Sequence, residues 1–152
     1  MPDSIRTLAV RAIGSVAVAA TLALPLFYFG IAPSSADVDE SSLDIVELTL
    51  LFFGLVLFSP LAETLLFAAI FKSANVYLSS AKSMVVAAVA LASLHGLVSW
   101  AWGVAVFIPF LIFGIPFMRQ DTSLKRAILA SAITHAFHNS YAFILIVIVN
   151  AA

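Results

Sequence analysis

From Ser83 to Met118 the chain carries no Asp, Glu, Lys or Arg. As one continuous α-helix this run would be ~54 Å long, nearly twice the ~30 Å hydrocarbon core of a bilayer. It therefore predicts two antiparallel apolar helices rather than one. The reversal is expected at Ser99-Trp100-Ala101-Trp102-Gly103. Both tryptophans of the chain fall there, and indole rings favour the membrane–water boundary. Pro109 and Pro116 follow two turns apart, on about one face of the second helix.

The rest of the chain reads the same way. Only 10% of its 152 residues are charged, against about 25% in a soluble domain. Mean hydropathy is +1.15. An all-α, polytopic transmembrane bundle is expected, one domain over residues 1–152, with about five membrane-spanning helices. Ala12 to Ile31 is long enough to span. Ser34-Ser35-Ala36 resembles a signal-peptide cleavage site, but the apolar part exceeds the usual ~7–15 residue signal core, so a retained helix is expected, kinked at Pro25. Ala32 to Glu47 is an acidic connection bearing Asp37, Asp39, Glu40, Asp44 and Glu47. A second span covers about Asp44 to Phe71, and a fifth runs from Lys125 or Arg126 to about Val149.

Charge fixes an orientation. With five spans and a cytoplasmic N-terminus, Arg6, Arg11, Lys72, Lys82, Arg119, Lys125 and Arg126 all fall on the cytoplasmic side. Those are all seven basic residues. The positive-inside rule thus predicts a cell-membrane protein with its C-terminus outside. Net charge is −1, and no basic patch points to nucleic acid. There is no cysteine, which excludes disulfides, thiolate nucleophiles and thiolate metal sites.

Against this background one residue stands out. Leu48 to Phe71 is apolar throughout except for Glu63, with Ser59, Pro60 and Thr64 beside it. An ionised carboxylate in hydrocarbon costs several kcal/mol, so such a group faces the bundle interior and finds polar partners. His95, His135, His138 and Asn139 are the candidates. Glu63 lies ~13 Å from Lys72 along its helix, His135 ~13 Å from Arg126, and His95 ~20 Å from Lys82. Tilt closes the remaining difference in depth. His135, His138 and Asn139 share one helical stripe that reaches back to Ser131. Ser59 lies one turn before Glu63, and Ser99 one turn after His95. Pro60 leaves the Val56 carbonyl without its helical partner, which predicts a kink or local water near Glu63. Taken singly, His138 and Thr64 read as packing or supporting residues.

These residues resemble the pattern of the CPBP family, intramembrane proteases related to the CAAX-processing prenyl protease together with bacteriocin self-immunity proteins. Its three helices carry Glu-Glu-x-x-x-Arg, Phe-x-x-x-His and His-x-x-x-Asn, in that order. Here they stand as Glu63-Thr64-Leu65-Leu66-Phe67-Ala68, Leu91-Ala92-Ser93-Leu94-His95 and His135-Ala136-Phe137-His138-Asn139. The motif-bearing core is about residues 44–149. Thr64, Ala68 and Leu91 depart from the pattern. Glu63, His95, His135 and Asn139 keep the positions that the family's catalytic set occupies.

The resemblance implies an intramembrane endopeptidase acting on a membrane-embedded or lipidated peptide. Without Ser–His–Asp or cysteine, water is the expected nucleophile. Glu63 would take its proton, and His95 would hold it. His135 and Asn139 would donate to the oxyanion. No cofactor is expected. The alternative is a divalent metal such as zinc held by Glu63, His95 and His135. Two other readings remain open: a non-catalytic immunity or scaffold protein, and a small proton pathway or carrier. The lack of a paired repeat counts against the carrier.

Overall fold

The computed structural model describes residues 3–28, 45–119 and 121–150. The expected acidic connection between the first two spans lies mostly outside them, though Glu47 falls in the first turn of a helix. Every regular element described is helical: α1 (Ile5–Tyr28), α2 (Ile45–Phe53), α3 (Ser59–Ala74), α4 (Ser80–Gly96), α5 (Trp100–Gly114) and α6 (Leu124–Asn150). A π turn at Gly54–Phe58 joins α2 to α3, and a 3-10 turn at Ile115–Met118 closes α5.

The boundaries follow local chemistry. Pro60 sits in the first turn of α3, directly after the π turn, where the helix runs on without a break. The uncharged run reverses as expected, but slightly earlier: the turn is Leu97–Ser99, and both tryptophans lie in the first turn of α5. Pro116 likewise opens the 3-10 turn rather than interrupting α5.

Small residues let α4 and α5 approach closely. A Cβ placed on Gly103 would lie 2.8 Å from the Ala92 carbonyl oxygen and 2.8 Å from Gly96 Cα. Both are backbone atoms that cannot swing aside. Ala87, Ala88 and Ala101 are likewise buried. Phenylalanines fill the layer between α3 and the α4–α5 pair. Phe117 packs against Phe67 at 5.4 Å and against Phe71 at 5.5 Å between ring centroids. With Leu91, Phe110 and Phe113 they make the apolar core.

The outside is also apolar. Leu50, Phe58, Leu65, Val89, Trp100 and Leu129 are exposed. A soluble monomer seldom leaves apolar surface on this scale open to water. Among the described residues, three helical stretches are long and apolar enough to cross a membrane: Ile5–Leu22, Ile45–Ala74 and Trp100–Met118. Ser80–Gly96 is apolar but shorter. The protein is thus an all-α bundle compatible with a membrane. At one end, Arg11 and Arg119 both donate to Asp3, at 2.9 and 2.7 Å. This ties the start of α1 to the turn before α6.

Candidate functional site

Glu63, His95 and His135 come from α3, α4 and α6, and the structure brings them together. The same carboxylate oxygen, Oε2 of Glu63, lies 3.7 Å from His95 Nε2 and 3.8 Å from His135 Nε2. Its other oxygen, Oε1, accepts from the Ser59 hydroxyl one turn earlier on the chain. Distances of 3.7 and 3.8 Å are too long for direct hydrogen bonds and leave a gap that a small molecule can bridge.

The imidazoles are held by their surroundings. His95 Nδ1 lies 2.8 Å from the Leu91 carbonyl. A carbonyl only accepts, so Nδ1 carries a proton, and Nε2 is left to face Glu63. Trp102 meets that ring edge-on at 4.8 Å. His135 is stacked on Phe113 at 4.4 Å, with Phe110 at its edge at 5.8 Å. Both rings thus point one nitrogen at the carboxylate against rigid aromatic walls.

A cavity of about 700 Å³ opens over this cluster. Glu63, His95, His135 and Asn139 all line it, as do Ser59, Ser99 and His138. The remaining walls are apolar, with Leu55, Val98, Trp102 and Val106 among them. All four candidates therefore share one chamber, as their depth and stripe predict.

Two contacts were not legible in the sequence. His138, read there as packing, reaches α1: its Nδ1 lies 2.7 Å from the Ser15 hydroxyl, which itself donates to the Ala12 carbonyl at 2.7 Å. With the hydroxyl proton so used, His138 Nδ1–H is the donor to Ser15. Asn139 Nδ2 donates to the Leu55 carbonyl at 2.7 Å. The backbone group near Pro60 that takes an outside partner is thus Leu55, where the sequence pointed to Val56.

All three departing motif positions, Thr64, Ala68 and Leu91, are buried. Thr64 is 2% exposed, and its hydroxyl has no hydrogen-bond partner. Ala68 is 6% exposed and belongs to the phenylalanine core.

A zinc ion bound at ~2.0–2.2 Å by each ligand would draw tetrahedral ligand atoms to about 3.3 Å of one another. Glu63 stands farther than that from both rings. Among the described residues no group of three or more His, Asp or Glu is arranged to hold a metal. No protein-family model, curated protein or solved structure matches the chain.

Proposed function

We propose that the chain is an intramembrane endopeptidase of the CPBP type that hydrolyses a membrane-embedded or lipidated peptide. The observation that carries this reading is one carboxylate oxygen of Glu63 facing the Nε2 atoms of two histidines, at 3.7 and 3.8 Å, inside a roomy cavity. A water in that gap accepts from or donates to all three groups. Glu63 removes its proton as its oxygen attacks the peptide carbonyl carbon. The lone pair of His95 Nε2 orients the water's other hydrogen. His135, protonated at Nε2, donates to the oxyanion. Glu63 then passes the proton to the leaving nitrogen as the C–N bond breaks, giving a carboxylic acid, which keeps the water's second proton, and an amine. The apolar walls suit a substrate segment that arrives from lipid.

In this reading five helices cross the membrane, with the N-terminus cytoplasmic and the C-terminus outside. The Asp3–Arg11–Arg119 contacts support it, since they gather the start of α1 and the turn before α6 at one end. Reporter fusions after Asp39 and after Arg119 should report opposite sides. The same side for both would end this topology.

A second reading, a non-catalytic immunity or scaffold protein, is favoured by the buried Thr64 and Ala68, where the family motif carries Glu and Arg. The two readings part at Glu63→Gln. This substitution keeps size and hydrogen bonding but removes the base, so turnover of a susceptible membrane peptide should fall by ~10²–10⁴. A biological effect that survives Glu63→Gln, from a chain that cleaves nothing, would leave only the second reading.

A further inference from the structure

At the π turn the Ser59 N–H bonds to the Gly54 carbonyl, one residue farther back than in an α-helix. In α register the Leu55 carbonyl would accept from that same Ser59 N–H, which is already used. In π register it would accept from residue 60, a proline with no N–H. The chain's own helix thus leaves the Leu55 carbonyl without a partner. Part-buried, that carbonyl gains from a donor. Asn139 supplies the missing donor from α6, at 2.7 Å.

The turn also decides which way Glu63 faces. In a straight α-helix Leu55 and Glu63 would lie about 80° apart around the axis. One extra residue turns α3 back by about 100°, leaving them about 20° apart. Leu55, Ser59 and Glu63 accordingly all line the cavity, and Ser59 bonds Glu63 along that line.

We propose that Asn139 is a positioning residue rather than an oxyanion donor: its amide replaces the bond Pro60 cannot make and locks the π turn that aims Ser59 and Glu63 into the cavity. The consequence for catalysis rests on the hydrolase reading. The clamp does not, and its test needs no substrate.

The chain has no cysteine, so a single introduced thiol reports alone. Ser59→Cys is prepared with Asn139 and with Asn139→Ala, in lipid nanodiscs, and labelled with a water-soluble methanethiosulfonate. Val98→Cys, on the turn between α4 and α5 and lining the same cavity, is the control. With Asn139→Ala, labelling at position 59 should fall about tenfold, within the coupling found for residues in contact, while position 98 stays unchanged. Adding Pro60→Ala provides a backbone N–H for the Leu55 carbonyl and should restore much of the loss. Equal labelling at position 59 with and without Asn139, at unchanged labelling of position 98, would overturn the proposal. So would a loss that Pro60→Ala does not relieve. If Asn139→Ala disturbs position 98 as well, Asn139→Asp decides by the same criteria, since it keeps size and removes the donor. Failure here leaves the hydrolase reading intact, because that reading stands or falls on Glu63→Gln.

Discussion

Asp3 and Glu63 are both carboxylates gathered between two basic side chains, and they are built differently. Asp3 is closed: Arg11 and Arg119 donate to it at 2.9 and 2.7 Å. Glu63 is held open: two imidazole nitrogens stop 3.7 and 3.8 Å from one of its oxygens, over a cavity. The first cluster pairs its carboxylate directly with both cations, so it fastens α1 to the turn before α6. The second keeps unspent donors and acceptors aimed at a common point. The second opens onto the larger cavity, about 700 Å³ against about 150 Å³ beside Asp3. The cause lies in the supports. Arginine side chains are long and reach their partner, whereas His95 is held by the Leu91 carbonyl and Trp102, and His135 by Phe113.

The sharpest way to break this contrast is at the open cluster. His135→Ala should lower turnover by about 10²–10³, the usual cost of losing an oxyanion donor, beyond what the lost stacking on Phe113 costs in stability. Steady-state kinetics and a thermal melt on the same sample separate the two. An equal loss from Asp3→Asn would erase the distinction between the clusters.

Next comes the frame that carries His95. Gly103→Ala forces a methyl to 2.8 Å from the Ala92 carbonyl oxygen and from Gly96 Cα. It should cost about 1–3 kcal/mol, read as a lowered melting midpoint in lipid, because neither neighbour is a side chain that can move. Activity should fall further than stability alone explains, since the displaced helix bears His95.

Effects at the closed end should be smaller. Asp3→Asn should cost about 1–2 kcal/mol in stability, since the Asp3 side chain keeps only 8% of its surface exposed, and less at high salt, since Arg119 keeps 32%. The smallest effect is at Asp121, where the neighbouring Arg119 holds the carboxyl below its ordinary value of 3.8. Arg119→Gln should let Asp121 titrate at higher pH, a shift that NMR titration of its carboxyl detects. No shift, or one to lower pH, would remove Arg119 as the cause.

Much of this was legible in the sequence, for physical reasons. The uncharged run had to fold back because a bilayer has a fixed thickness, and α4 and α5 do so within a few residues of the tryptophans. Glu63, His95 and His135 announced themselves by the cost of a polar group in an apolar run, and helical spacing gave their faces. The π turn was not legible. Pro60 showed that one helical bond was missing, but which carbonyl lay bare depended on the register of the turn before it. Ser15 was equally silent: a single hydroxyl in an apolar helix bonds its own backbone, and only the packing of α1 on α6 reveals His138 as its partner. Nor did the sequence say that Thr64 and Ala68 would both be buried, Ala68 in the phenylalanine core.

The central claim is that Glu63 activates water for peptide hydrolysis. The most direct measurement is mass spectrometry of peptides cleaved in ¹⁸O-labelled water, with purified native chain and Glu63→Gln compared in the same lipid. New C-termini that carry one ¹⁸O, formed by the native chain and lost with Glu63→Gln, are the predicted result. Identical peptide patterns from the two proteins would contradict it.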